Sequence, residues 1–494
     1  MLTYVVLCIT AYLVLKILRA PRSADATGYL LVSGLMPLPV YMIGRSIDAG
    51  VFPIDVCVLA YIVVHGTPAL HYVIERRALS TSVVALFGLS ILATCSGVFN
   101  LFFVDPDPLK FYAFTIVKFW EYALLGMVLI ASRPDAAQLR TICAIVLAGI
   151  LVYEILHALH ISGIVPLSGE AYYGPHAAEF DANEMRYAPF SDRTAWFLTS
   201  SRIVVGGTAS VSAWFSLMVF EAYRGKTKVV AAATAILSVF SVLATSSRSD
   251  IAGLAVAAIV FALCAPPRRW KAYVCAAIMA AGLYAAYLTF FLAPAERTTA
   301  MTRMSELWNP DLRAEGDYAD RSSDRKSLLS YLSEHPRELL IGVGPGNFHW
   351  YQAQRITYNF FGHNSYLHWT GELGIGGFLL LLAWCFSVCL FAKKRLRSQN
   401  RICQLAARTC LAVVAGRMVA GWGAESLFGT EGMGYYSLFF VGVVYLLASI
   451  ASDVGATGFR FHVRHNLIQE KQHLGAPSYA IEGRTQPKGR YHAL

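Results

Sequence analysis

The chain has 494 residues, of which 56% are hydrophobic and only 15% charged. Soluble domains carry about 25% charged residues, so the composition excludes a soluble globular protein and predicts an all-α integral membrane protein. The formal net charge of +10 sits mostly in short loops and reads as a topology signal, not as a nucleic-acid surface.

Apolar runs fall near residues 3–18, 28–44, 51–70, 79–104, 112–132, 139–165, 203–222, 228–245, 250–266, 271–293, 365–392, 405–427 and 434–452. Runs of about 20 apolar residues can cross a hydrocarbon core as helices, which gives about 12–13 transmembrane helices. The run at 51–70 is the weakest span, being short and holding Pro53, Asp55 and His65. The first run lacks the basic flank and the small-residue site of a cleavable signal peptide. Cys8, Cys57, Cys264, Cys385 and Cys389 lie inside apolar runs, without CxxC spacing, and are expected to pack as small hydrophobes.

The basic residues fix an orientation. Lys16, Arg19 and Arg22 follow the first run; Arg76 and Arg77 the third; Arg133 and Arg140 the fifth; Arg224, Lys226 and Lys228 the seventh. Arg268, Arg269 and Lys271 follow the ninth, and Lys393 to Arg401 contribute five more after the eleventh. Loops after odd-numbered spans are thus expected in the cytoplasm, and the N-terminus outside. The chain then divides into N-terminal spans over 1–165, an outer loop over 166–202, spans over 203–293 and a long outer loop over 294–364. C-terminal spans over 365–452 and a basic cytoplasmic tail over 453–494 complete it. The long loop holds a helical pattern, SSDRKSLLSYLSEHPRELL, with apolar Leu328, Leu329, Leu332, Leu339 and Leu340, interrupted at Pro336.

Candidate chemistry gathers between Gly342 and Gly377. His363 stands just before the eleventh span, at the expected outer membrane boundary. A neutral imidazole there suits a general base for a sugar hydroxyl, or simply hydrogen-bonds a loop carbonyl. Gly371, Gly374, Gly376 and Gly377 offer a small-residue face for close packing of a helix or a lipid chain. Gly342-Val-Gly344-Pro-Gly346 does not follow a strand, so it reads as a tight turn and not as a dinucleotide fingerprint.

Outward arginines form a second set: Arg202, Arg248, Arg321 and Arg325. Few cations are expected beside outer span ends, so each requires a reason. Guanidinium forks suit a lipid pyrophosphate; the structural alternative is pairing with Asp250 for Arg248, and with Asp320 or Asp324 for the loop pair. Lys118 and Glu121, at i,i+3, can pair on one helix face. Glu154 and His157 repeat that spacing, and Arg417 lies midway along the twelfth span. Such residues line a cavity, pair with each other or mark an ion path.

His363-Asn364, followed by Gly374 and Gly377, spells His-Asn-x9-Gly-x-x-Gly. With Arg202, Ser247-Arg248, Arg321 ahead of His335-Pro336 and the Gly342–Gly344 turn, this resembles the O-antigen ligase and polysaccharide polymerase family of membrane glycosyltransferases. The resemblance implies a GT-C-like polytopic fold in the bacterial inner membrane and a periplasmic active site. It implies metal-independent transfer, without a cofactor, of a glycan from undecaprenyl pyrophosphate. The acceptor would be lipid A-core for a ligase or another glycan for a polymerase. Arg202 and Arg248 would hold the pyrophosphate, with Arg321 or Arg325 joining them, and His363 would be the base. Gly342, Gly344, Asn364, Gly374 and Gly377 would be motif or packing positions. A transporter or flippase built on the polar pairs is the rival reading.

Overall fold

The computed structural model describes residues 2–36, 41–42, 50–76, 80–103, 109–162, 164, 202–245, 247–266, 269–270, 282, 289, 317–345, 364–423, 427 and 434–452. It is an all-α polytopic membrane protein. The helices are α1 (Leu2–Leu18), α2 (Ser23–Ser33), α3 (Pro53–Arg76), α4 (Thr81–Phe103), α5 (Leu109–Ser132), α6 (Ala136–Ile161) and α7 (Arg202–Ala222). They continue as α8 (Lys226–Ala244), α9 (Arg248–Leu263), α10 (Asp317–Glu334), α11 (Pro336–Ile341), α12 (Ser365–Arg395), α13 (Arg401–Gly423) and α14 (Gly434–Ser452). Among the described residues, 8 helices are long and apolar enough to cross a membrane.

Large apolar side chains face outward along these helices. Val63, Phe102 and Val229 are 68%, 76% and 71% exposed. Water would penalise such a surface, whereas hydrocarbon accepts it. The opposite case is α14, whose side chains from Tyr436 to Ala451 are all buried. A helix apolar on every side belongs in the middle of a bundle. Here α14 packs against α5, α7, α12 and α13, and Trp384 of α12 donates from Nε1 to the Tyr445 hydroxyl at 3.1 Å.

The third predicted span forms as α3, and its three suspect residues have explicable places. Pro53 occupies the first helical position, where no N–H is needed. Asp55 accepts the Phe52 N–H at 2.8 Å, and His65 sets its ring edge against Tyr61, 5.2 Å between centroids. The second predicted span is corrected. Helix α2 runs only 11 residues to Ser33, about 16 Å at 1.5 Å per residue against a hydrocarbon core of about 30 Å. Pro37 and Pro39, inside the apolar run, remove N–H groups that a continued helix would need. Beyond them Tyr41–Met42 pair antiparallel with Gly50–Val51.

The loop pattern at SSDRKSLLSYLSEHPRELL forms α10 and α11, divided at His335-Pro336. Leu328 and Leu332 are buried with Val343, and Leu339 packs against them, whereas Leu329 and Leu340 face outward. Cys57 and Cys385 are buried as expected; Cys8 is exposed on α1. Nearly all of the predicted span 271–293 and of the loop 166–202, and the whole tail 453–494, lie outside the described residues.

Candidate functional site

Segments distant in sequence meet at the C-terminal end of α13. Asn364 caps α12: its side-chain oxygen accepts from the N–H groups of Tyr366 at 2.9 Å and Leu367 at 3.1 Å. That satisfies donors a helix start leaves unpaired. Its Nδ2 donates to the Trp422 carbonyl at 3.0 Å. Arg325, on α10, donates from Nη2 to the same oxygen at 3.1 Å. Carbonyls at a helix C-terminus carry partial negative charge, which draws both donors there. The next residue, Gly423, receives α9: a Cβ placed on it would stand 3.0 Å from Cβ of Ser249, the neighbour of Arg248. Tyr366 donates to the Met418 carbonyl at 2.7 Å, and Ser365 Oγ accepts the Leu427 N–H at 3.2 Å. The start of α12 is thereby fastened to the end of α13.

The glycine turn docks onto a break in α12. Gly374 has φ 68 inside that helix, a left-handed conformation that interrupts the ladder. The carbonyls of Gly371 and Glu372 then accept from outside the helix: Val343 N–H donates to Gly371 O at 2.9 Å, and Gly344 N–H to Glu372 O at 3.0 Å. Gly342, with φ 72, fits because it has no side chain; a Cβ there would lie 2.0 Å from Glu372 O. The fit is reciprocal, since a Cβ on Gly374 would lie 2.2 Å from Leu340 O. From α4, Ser96 donates to Ile341 O at 2.8 Å and Asn100 to Gly342 O at 3.4 Å. The expected tight turn is thus present, and Gly374 both breaks the helix and admits the close approach of the Leu340–Ile341 backbone. Gly377 faces Leu373 of its own helix, and Gly376 faces Leu92 of α4.

His363, the expected base, lies outside the described residues. So do the side chains of Arg202, the first residue of α7, and Arg321, within α10. Arg325, Asn364 and the α9 turn carrying Arg248 come together at Trp422–Gly423; Gly342, Gly344 and Gly374 come together one helical segment further along α12.

Sequence reasoning overlooked His368 and Glu372. Both are buried on α12 between the cap and the break, with His368 Nε2 at 3.3 Å from Glu372 Oε1. Glu372 therefore contributes a buried carboxylate as well as the carbonyl that holds Gly344. An i,i+4 His/Glu pair in an apolar run is a legible signal, but the glycine spacing drew the reading elsewhere.

The polar residues inside the spans resolve into local clusters. Lys118 pairs with Asp55 of α3 and, at 3.3 Å, with Glu121, as its spacing predicts. Glu154 and His157 both reach Ser241 of α8, His157 Nδ1 at 2.8 Å. Asp250 pairs with Arg417 of α13 at 2.6 Å, not with Arg248. Residues two apart point to different sides of a helix, so Arg248 and Asp250 are poorly placed to pair. Below that ion pair α9 and α13 touch through glycines: a Cβ on Gly253 or on Gly416 would stand 2.6 Å from the other's carbonyl oxygen.

Residues 232–382, from within α8 to within α12, match a family model described as O-antigen ligase. The segment includes Arg248, Arg321, Arg325, Gly342, Gly344, His363, Asn364, Gly374 and Gly377; Arg202 precedes it. None of the curated proteins matches the chain.

Proposed function

We propose that the protein transfers a glycan from undecaprenyl pyrophosphate to an acceptor hydroxyl at the outer face of the bacterial inner membrane. The bond from the sugar's anomeric carbon to the pyrophosphate oxygen breaks, and a bond from that carbon to the acceptor oxygen forms. His363 takes the hydroxyl proton. Arg202, Arg248, Arg321 and Arg325 hold the leaving lipid pyrophosphate, which is anionic from the start and so can be stabilised by guanidinium groups without a metal.

The observation that carries this reading is the meeting of Arg325, Asn364 and the Arg248 turn at Trp422–Gly423, inside the matched segment apart from α13 itself. His363 immediately precedes the cap that is fixed there. A polar donor is best stabilised by groups whose positions are set before the substrate arrives, and Asn364 is anchored in this way on both sides. The polar pairs within the spans are local ion pairs and hydrogen bonds, which supports a structural role for them over an ion path.

The test is a gel profile of lipid-linked and cell-surface glycans from cells carrying wild type or His363→Ala. Long chains retained on the lipid carrier, with lipid A-core left bare, are the result expected of a ligase. Loss of long chains with single repeats remaining identifies a polymerase. An unchanged profile, with the variant present at wild-type level in the membrane, removes His363 from the reaction.

A further inference from the structure

A basic cavity lies at the other end of α9 and α13, away from Trp422–Gly423. It has a volume of about 460 Å³ and is lined by Arg269, Arg401, Gln404 and Arg408, with Cys264 and Leu396 among its apolar walls. Arg401, Gln404 and Arg408 recur at helical spacing on one face of α13, and Arg269 comes from the turn after α9.

The arginines converge on the last turn of α7. Arg269 and Arg408 both pair with Glu221 Oε2, Arg408 at 2.8 Å, and Arg401 donates to the Glu221 carbonyl at 2.8 Å. Two guanidinium groups therefore share one carboxylate while the third is held by the backbone carbonyl of the same residue, and among the described residues the three arginines outnumber the one acid. Arg408 is 3% exposed, with its guanidinium 3.9 Å from the centre of the Phe261 ring. That contact holds the planar fork without neutralising it. The N-terminus of α13 adds the positive end of a helix dipole on the same side. Beside the cavity Trp270 is 44% exposed and donates from Nε1 to Ala265 O at 3.3 Å, the amphipathic habit of an interfacial residue.

We infer that this cavity binds a phosphate group, and specifically the phosphodiester head group of an anionic membrane lipid. Guanidinium forks match phosphate oxygens, and basic pockets between transmembrane helices take anionic head groups. The apolar walls formed by Cys264, Ala265, Leu396 and Leu405 favour an amphiphile over a free phosphate. The site is separate from the proposed transfer site and does not depend on that reading.

Native mass spectrometry of the full chain in neutral detergent tests it, with phosphatidylglycerol, phosphatidylcholine and inorganic phosphate as separate probes. The variant is Arg269→Gln with Arg401→Gln. These two side chains are not fully buried, so the fold is expected to survive, and its melting temperature serves as the check. As a control, Lys16→Gln with Arg19→Gln removes the same charge from the end of α1 and the residue after it. Wild type and control should retain phosphatidylglycerol over phosphatidylcholine, and the cavity variant should lose about tenfold in retention. Equal retention of both lipids, or equal retention by wild type and cavity variant, overturns the site. An equal loss in the α1 control reduces it to non-specific charge. Displacement of the lipid by low-millimolar phosphate assigns the cavity to a free phosphate and overturns the lipid.

Discussion

Asp250, in the first turn of α9, and Arg417, well inside α13, are fully buried charged groups, and their energetics follow from that burial. Removing one partner of a buried pair leaves the other uncompensated, at a cost of about 3–5 kcal/mol, whereas replacing both by apolar residues is often neutral. Asp250→Ala should therefore lower the melting temperature sharply and reduce the yield of folded protein. Asp250→Leu combined with Arg417→Met should recover most of the loss, although it gives up the contact of Arg417 with the Tyr436 ring at 5.2 Å. Thermal melts of the singles and the double in detergent decide this. A single variant as stable as wild type would show that the pair contributes nothing to the fold. A stable double variant lacking glycan transfer would move the pair from the fold to the reaction. The sequence placed Arg417 inside a span and offered Asp250 as a partner for the nearby Arg248, but not the Asp250–Arg417 pair, because 166 residues separate them.

At the scale of elements, the docking of the glycine turn on the broken helix α12 yields a sharp contrast among glycines. Gly342→Ala and Gly374→Ala each put a methyl group within 2.0–2.2 Å of a backbone carbonyl and force a left-handed φ on a residue that resists it. Backbone strain of this kind alone costs about 1–3 kcal/mol, and the clash with main-chain atoms adds to it. Gly376→Ala meets only the end of Leu92, at 3.3 Å, and should stay within about 1 kcal/mol of wild type. Melting and glycan profiles of the three variants give the comparison. Similar behaviour of Gly374→Ala and Gly376→Ala would mean that the break at Gly374 does not hold the turn. Sequence spacing singled out both halves of this contact, Gly342-x-Gly344 as a turn and Gly374 as a close-packing position, but not their docking on each other. Periodicity says where a helix is apolar; it is silent on a single left-handed residue within it, and on which outside N–H groups take the released carbonyls. The same limit explains α2, where an apolar run hid Pro37 and Pro39 as helix stops.

For the molecule as a whole, orientation is the property on which the transfer reading depends, because a lipid-linked glycan is to be met on the outer face. Lysine and arginine bias sets that orientation through short loops near span ends. The loops after α1, α3, α5, α7, α9 and α12 are the basic ones, among them Lys393, Lys394, Arg395, Arg397 and Arg401 at the α12–α13 turn. Helix α2 is too short to cross by itself, while the basic loops downstream keep their common side. Reporter fusions measure this directly. A fluorescent protein fused after Arg397 or after Ser132 should fold in the cytoplasm and fluoresce. Alkaline phosphatase fused after Ala300, within the loop that leads to His363, should be active outside. The reverse pattern would put Arg325, Asn364 and His363 in the cytoplasm. The outer-face glycan transfer would then fail, and the basic cavity between α9 and α13 would face outward, where few anionic lipids are expected to reach it.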